Sequence, residues 1–226
     1  MALLAGLKDA LLRLVFTWGA KTYYNKLATG PEAELRKEFL PYAGPSSEAR
    51  VLDVGCGPGW LAIAAARQAK EAVGIDRSNR IIQLARQNAR LEGVLNVGFQ
   101  NGNAFPLPFP DGHFDLAIAT TLVYLMTEPE KAISEMARVV KPGGRVATLD
   151  PDRSMSLKKM RSYAEARNMS SKDTKKLLAW ASGARINYPF SEERLRALYE
   201  KAGLKNILLE KRMDGMVWFA KGEKPF

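Results

Sequence analysis

The sequence has little of the chemistry on which several classes of protein depend. It contains one cysteine, Cys56, and one histidine, His113, among 226 residues. A single cysteine excludes an internal disulfide framework and a cluster of cysteine metal ligands, and it fits a reducing compartment. With so few soft ligands, we expect no metal centre.

A membrane-spanning segment is also missing from the sequence pattern. The most leucine-rich stretch, residues 2–19, is interrupted by Lys8, Asp9 and Arg13. It is too short and too charged to span a bilayer, and it lacks the usual shape of a cleavable signal. We therefore expect a cytoplasmic protein, with contact at the inner face of the membrane as an open alternative.

What the sequence has in excess is positive charge, and that charge is concentrated in one section. The net charge is +10, and residues 151–212 alone carry 15 basic and 7 acidic side chains, a balance of +8. Such a section predicts either a surface that attracts an anionic partner or a well-solvated face, and the sequence does not choose between them.

Short apolar runs alternate with helical patterns, which predicts βαβ units and a parallel sheet. Strands are expected at 50–54, 72–75, 94–100, 114–119, 145–149, 204–212 and 216–221. The last two are separated by Asp214-Gly215, a dipeptide typical of an antiparallel hairpin. We predict an α/β fold with a doubly wound, Rossmann-like sheet of seven strands: five parallel strands, a C-terminal hairpin, and helices on both faces.

The same pattern divides the chain into four sections of one domain. Residues 1–48 are expected to form two helices, at 3–18 and 31–40, that cover the site or face a membrane. Residues 49–150 form the α/β core, with helices at 61–69, 79–92 and 129–140. Residues 151–190 form a helical insertion or lid, with helices at 155–168 and 172–182. Residues 191–226 complete the sheet with a helix at 191–201 and the hairpin.

The strongest local signal is the run Val51-Leu52-Asp53-Val54-Gly55-Cys56-Gly57-Pro58-Gly59. Glycines at a strand-to-helix turn adopt positive φ and let a ligand approach the backbone closely. The spacing G-x-G-x-G is not that of the dinucleotide fingerprint, and no Lys-Ser/Thr follows, so a P-loop is excluded.

These residues resemble the first motif of the class I S-adenosylmethionine (SAM)-dependent methyltransferases. The resemblance is strong over about residues 48–150 and rests on topology elsewhere. It implies SAM as the cofactor and a common site at the carboxyl ends of the strands. The implied cofactor-binding residues are Asp53, Gly55, Cys56, Gly57, Gly59, Asp76, Arg77, Asn103, Ala104 and Thr120.

Asp76 closes the second strand, where this family has an acidic residue that accepts both ribose hydroxyls. A carboxylate is a natural acceptor for the two donors of a vicinal diol. Asn103-Ala104 stands where the family usually has Asp-Ala against the adenine amino group. Asparagine can still accept a hydrogen bond there, but the negative charge is lost.

Three residues are candidates to face the methyl group or the acceptor: Thr121 and Tyr124 after the fourth strand, and Tyr24 in an N-terminal aromatic segment. Ordinary packing is the alternative for each of them. His113 precedes the fourth strand and is interpreted as structural. Cys56 lies inside the glycine loop, so a nucleophilic role is disfavoured.

The acceptor is predicted mainly by elimination. No D/N-P-P-Y/F sequence follows strand four, no catalytic cysteine of the C5-cytosine type is present, and no metal cluster of the catechol type is visible. The best resemblance is to the small-molecule branch that includes the ubiquinone/menaquinone C-methyltransferases and the phospholipid N-methyltransferases.

Two features favour a lipid or lipid-like substrate. The helix predicted at 3–18 has an apolar face formed by Leu3, Leu7, Leu11, Leu14 and Trp18, which suits a membrane surface or packing on the domain. The +8 section suits anionic headgroups. The alternatives are a methyltransferase of a soluble metabolite and a non-catalytic SAM-binding or RNA-associated protein. Nucleic acid is the less favoured partner, and the oligomeric state is left open.

Overall fold

The computed structural model of the chain describes residues 30–185, 187 and 189–226. Their strands form one sheet in the order β3-β2-β1-β4-β5-β7-β6. The strands are β1 Arg50–Val54, β2 Glu71–Asp76, β3 Val97–Asn101, β4 Phe114–Thr120, β5 Val140–Pro151, β6 Lys205–Arg212 and β7 Val217–Glu223. Strand β7 runs antiparallel to β5 and β6, and the other pairs are parallel. The predicted topology is confirmed.

Helices cover both faces of the sheet. They are α1 Pro31–Ala43, α2 Trp60–Ala66, α3 Asn79–Leu91, α4 Pro129–Val139, α5 Leu157–Ala166, α6 Ser171–Arg185 and α7 Glu192–Lys201, with a 3-10 turn at Val123–Leu125. Along β7, Phe219 packs edge-on against Phe39 of α1, at 5.3 Å between ring centroids. A Cβ at Gly222 would lie 2.9 Å from Tyr199 of α7. Because successive odd and even strand positions face opposite sides, α1 and α7 lie on opposite faces.

Two strand boundaries differ from the predicted ones by three or more residues, for identifiable reasons. The start of β3 was predicted at residue 94, but the amide of Val94 donates to the carbonyl of Ala89 and belongs to the end of α3. Strand β5 begins at Val140, directly after α4, rather than at 145. The Pro142-Gly143-Gly144 segment, predicted to separate the two, lies within the strand as an irregularity in its pairing with β4.

The helical insertion packs into the same core as the sheet. Met160 and Ala164 of α5 and Leu177 and Ala181 of α6 are buried in the cluster that also contains β5. The helical insertion and the sheet therefore share one core. None of the described helices is both long and apolar enough to cross a membrane. The helix predicted at 3–18 lies outside the described residues.

Candidate cofactor and methyl-transfer site

The order of the strands reverses at β1, which lies between β2 and β4. In open α/β sheets, ligands bind beyond the carboxyl ends of the strands at such a switch point. The glycine loop after β1, Asp76 at the end of β2 and Thr120 at the end of β4 all stand at this edge. The structure thus gathers residues that are far apart in the sequence.

The glycine loop is fixed to the end of β2 by its own backbone. The amides of Gly55 and Cys56 both donate to the carbonyl of Ile75, at 2.8 and 3.0 Å. Gly55, Gly57 and Gly59 have φ of 69°, 52° and 85°, the left-handed region that glycine adopts without strain. The loop therefore turns sharply from β1 into α2 and keeps its backbone free of side chains at the three glycines.

Asp76 joins the loop to the second strand. Its Oδ2 accepts a hydrogen bond from the Gly57 amide at 3.2 Å, and its Oδ1 accepts one from the Ser78 amide at 2.9 Å. Burial raises the pKa of Asp76, against the lowering effect of these two amides and of Arg77. A carboxylate offers about four acceptor positions. Two backbone bonds leave two acceptor positions, which fits a ribose diol.

Asp53 is placed more deeply than its motif position indicated. Its side chain is 1% exposed, and its carboxyl accepts from the backbone of Ala62 in α2. Burial raises its pKa to about 7; the Ala62 bond lowers it, nearby Asp76 raises it and Arg36 lowers it. Oδ2 has no hydrogen-bond partner in the described part of the chain. Asp53 therefore holds the first turn of α2.

The side chain of Cys56 points away from the edge that carries Asp76. It is buried in a small apolar cluster with Ile82, Ala85 and Phe99, and burial raises the pKa of its thiol well above the usual value. The neutral thiol agrees with a packing role. Any contact of Cys56 with a cofactor is thus expected through its backbone.

Asn103 and Ala104 lie in the loop after β3. Asn103 is exposed, and Ala104 packs partly against the main core. The position beside the end of β3 suits the predicted adenine contact, which stays a prediction. Arg77 is exposed immediately after Asp76.

Two side chains of α4 that the sequence analysis did not single out, Glu135 and Arg138, hold the loop that follows Asn103. We call this pair the loop clamp. Glu135 of α4 accepts from the Leu107 amide at 2.6 Å, and Arg138 donates to the carbonyls of Leu107 and Phe109 at 3.0 and 2.8 Å. Arg138 also pairs with Glu135 and Asp111, each at 2.7 Å. The run "EMARVV" contained the two residues, but nothing local showed that they hold a loop about 30 residues earlier.

The acceptor-side candidates fall on the segment after β4. Thr121 has φ of 52°, and its amide donates to the carbonyl of Leu149 at 2.7 Å. Tyr124 is 6% exposed in the 3-10 turn. A Cβ at Gly55 would lie 2.9 Å from Leu122, so this segment lies directly against the glycine loop. Tyr24, the third candidate, lies outside the described residues.

His113 lies at the other edge of the sheet. It precedes β4, whose carboxyl end carries the candidate site, and its ring contacts Phe114 at 4.8 Å and Phe109 at 6.4 Å. A seven-residue strand spans about 20 Å, which separates the imidazole from the glycine loop. This placement agrees with a structural role. Within the described ranges, no three His, Cys, Asp or Glu side chains are grouped as metal ligands.

The chain belongs to the family described as "Methyltransferase domain", because the model of that family matches residues 45–203. Its fold is that of the class I SAM-dependent methyltransferases, as its first motif predicted. The family match includes β1 to β5, the helical insertion and α7, so the insertion is part of the matched domain.

Several curated relatives carry quinone-related names. The chain is 41% identical over 139 residues to a 2-phytyl-1,4-naphtoquinone methyltransferase of Synechococcus elongatus, covering 58% of each protein. It is 38% identical over 104 residues to the uncharacterized methyltransferase YcgJ of Bacillus subtilis, covering 46% of this chain and 41% of the relative. The first relatives are thus matched over about 40–60% of their length. The ubiquinone/menaquinone C-methyltransferase UbiE of Yersinia enterocolitica is 28% identical over 232 residues, 96% of this chain and 92% of that protein.

Solved structures share the fold at low identity. Phosphoethanolamine N-methyltransferase 2 of Haemonchus contortus, in complex with SAM, superposes with a TM-score of 0.74 at 18% identity, covering 97% of this chain and 60% of that one. A SAM-dependent methyltransferase of Thermotoga maritima gives a TM-score of 0.67 at 23% identity, covering 93% and 98%. At these identities the likeness supports the fold alone.

Proposed function

We propose that this protein transfers a methyl group from SAM to a small, lipid-like acceptor of the quinol type. The observation that carries the SAM part is the contact between the two strand ends: the Gly57 amide, in the glycine loop, donates to Asp76, whose remaining acceptor positions suit a diol. The family match supports the same cofactor. The quinol part is supported by the names of the relatives, and it is the finer claim.

When bound, SAM supplies a methyl group on a sulfonium, and an in-line attack on it disperses charge rather than creating an intense anion. The protein's contribution is then mostly alignment and exclusion of water. The glycine loop offers bare backbone, Asp76 fixes the ribose, and Asn103 accepts from the adenine. The segment Thr121–Leu125 forms the wall beside the loop from which the acceptor approaches.

We propose no dedicated general base among the residues that the structure describes at this site. His113 lies at the far edge of the sheet, and Cys56 is a buried thiol in an apolar cluster. A quinol hydroxyl ionises far more readily than an aliphatic one, and it would lose its proton to solvent before the attack. The ring carbon of the anion would then take the methyl group while the thioether leaves from the sulfonium, and the hydrogen on that carbon would pass to the oxygen through solvent. Tyr124 and Thr121 are the polar side chains of the wall that are placed to orient such a hydroxyl.

The test is transfer of labelled methyl from SAM into extracts of two kinds. Incubation with a lipid extract is expected to give label in the organic phase, and incubation with an aqueous metabolite extract to give little. Label in the aqueous extract alone would favour the soluble-metabolite alternative. Binding of SAM by calorimetry without transfer into either extract or into RNA would favour the non-catalytic alternative. Asp76→Ala serves as the inactive control.

We further propose that the exposed face of α5 and α6 meets an anionic lipid surface that presents the acceptor. The lysines and arginines exposed on these two helices are Lys158, Lys159, Arg161, Lys172 and Lys175. The helices follow the carboxyl end of β5, the edge at which the glycine loop stands. A basic residue near an anionic bilayer contributes about 1 kcal/mol, so five can hold a protein at the surface without a membrane span.

Charge reversal on this face is expected to weaken binding to anionic vesicles. Lys158→Glu with Lys159→Glu should lower the affinity for phosphatidylglycerol vesicles at least about tenfold at low salt, since each reversal removes an attraction and adds a repulsion. The control pair Lys70→Glu with Arg90→Glu makes the same change of charge at exposed positions in residues 49–150, outside α5 and α6. Sedimentation with vesicles measures both pairs. Equal loss for the two pairs, or no binding of the wild type at low salt, would remove this proposal.

A further inference from the structure

Asp150 is an ionisable residue that lies in the interior of the protein. It closes the apolar run of β5, and its side chain is 0% exposed. Thr148, two positions earlier and therefore on the same face, contacts the hydroxyl of Tyr199 in α7 at 3.1 Å. Asp150 thus lies under the α7 side of the sheet, near the edge that carries the glycine loop. Buried carboxyls are found where they have specific partners to hold.

The partners of Asp150 are the amides that open the 3-10 turn. Its Oδ1 accepts from the Tyr124 amide at 3.1 Å. The Val123 amide and the Thr148 hydroxyl face the carboxyl and lower its pKa, while Oδ2 has no hydrogen-bond partner among the described residues. The first amides of a helical turn have no partner inside it, so the carboxyl supplies the acceptor that the turn lacks.

A second bond attaches the same segment to β5 just before Asp150. The amide of Thr121, at φ of 52°, donates to the carbonyl of Leu149. The segment from Thr121 to Tyr124 is therefore held at both ends by consecutive residues of β5, once by backbone and once by a side chain. Between these two attachments, Leu122 lies against Gly55 of the glycine loop.

We propose that Asp150 is a positioning residue for methyl transfer: by holding the amides of Val123 and Tyr124, it sets the wall of Thr121–Leu125 against the glycine loop. The inference rests on the proposed function for its catalytic consequence, while its structural part is independent. Asp150 itself touches neither cofactor nor acceptor in this proposal, because it acts through the turn.

The hydrogen-bond chain beneath Asp150 can accommodate either charge state of its carboxyl. Burial raises the pKa of Asp150 to about 8, against the lowering effect of the Tyr124 amide, the Thr148 hydroxyl and the Val123 amide. The Tyr199 hydroxyl donates to Thr148 at 3.1 Å and also lies 3.3 Å from the carbonyl of Ala220. It can therefore use either acceptor as the charge of the carboxyl changes. The turn keeps an acceptor in both forms.

The experiment compares Asp150→Leu, which keeps the approximate shape but removes both acceptors, with Asp150→Asn, which retains one acceptor oxygen. Amide hydrogen exchange is read at Val123 and Tyr124, calorimetry gives the SAM affinity, and labelled transfer to the active extract gives kcat and KM. Asp150→Leu is expected to speed exchange at these two amides at least about tenfold and to lower kcat about tenfold or more, with the acceptor KM within about threefold. Asp150→Asn should restore protection and rate.

The matched control is Tyr199→Phe, which removes the hydroxyl at the far end of the same buried chain and leaves Asp150 and the turn unchanged. It is expected to lower thermal stability yet leave exchange at Tyr124 and kcat near the wild type. The proposal is overturned if Asp150→Leu leaves Tyr124 protected, or if Tyr199→Phe reproduces every effect of Asp150→Leu. Failure of the wild type to bind SAM would instead sink the proposed function, and the exchange data would still decide whether Asp150 holds the turn.

Discussion

Replacing Asp76 by alanine is expected to lower the affinity for SAM by about 100-fold or more. The substitution removes the acceptors for two ribose hydroxyls, and hydrogen bonds to a charged group contribute about 1.5–3 kcal/mol each. It also releases the Gly57 and Ser78 amides, which Asp76 holds at 3.2 and 2.9 Å. Two lost bonds of this kind amount to at least about 3 kcal/mol, or two powers of ten in the dissociation constant. Calorimetric titration with SAM measures it.

The control for this prediction is Asp115→Ala at the opposite edge of the sheet. Asp115 also accepts from a backbone amide, that of Arg50 at 2.8 Å, and it pairs with Lys141. Asp76→Ala loses two carboxylate-to-backbone bonds, and Asp115→Ala loses one such bond and an ion pair. Each variant thus removes a carboxylate that bonds to the backbone, and both should remain folded in a thermal melt. Only Asp76→Ala should lose SAM. An unchanged SAM affinity in Asp76→Ala, or an equal loss in Asp115→Ala, would refute the site.

The fold was predictable because its signals are local and periodic. Apolar runs of strand length, glycine or proline between them, and the Asp214-Gly215 turn each act within about ten residues. Five parallel strands and a C-terminal hairpin followed from those elements, and the structure supplies their order in the sheet. The errors are at boundaries, where tertiary pairing extends an element: β5 continues back through Pro142 and Gly143 because β4 offers it a partner at Phe114.

Part of the site was predictable for a different reason. Asp76 stands at a strand end, and all carboxyl ends of parallel strands meet at one edge of the sheet. The topology therefore predicts that Asp76 lies close to Gly57. Asp150 ends β5 in the same manner, and that signal was available for it. Topology does not predict how deeply a side chain is buried. Asp53 is a buried carboxyl that accepts from Ala62, and Asp150 is a buried carboxyl that accepts from the turn at Tyr124.

The loop clamp shows the limit of reading one sequence. Arg138 and Glu135 bond to backbone atoms 28–31 residues earlier in the chain. Backbone carbonyls and amides have no residue identity, so a partner of this kind leaves no trace in the sequence. Only the folded chain shows that α4 fixes the loop after Asn103, and that the site is assembled from elements on both sides of β4.

The last prediction concerns the glycine loop. It separates the effect of backbone strain on stability from the effect of a new side chain on SAM binding. Gly57→Ala and Gly93→Ala each place a Cβ at a positive φ, of 52° and 65°, which costs about 1–2 kcal/mol. Both variants should therefore lose a few degrees of melting temperature, since 1 kcal/mol corresponds to about 2–4 °C in a domain of this size.

Their effects on SAM should diverge. A Cβ at Gly93 would meet nothing within 4 Å, so its SAM affinity is expected to equal that of the wild type. At Gly57 the added Cβ stands in the glycine loop, next to the amide that donates to Asp76. The affinity of this variant for SAM should therefore fall at least about tenfold. Thermal melts with and without SAM measure both quantities on the same samples, because a bound ligand raises the melting temperature in proportion to its affinity. If SAM shifts the melting temperature of Gly57→Ala as much as that of Gly93→Ala, then the loop is only a turn, and the cofactor binds elsewhere.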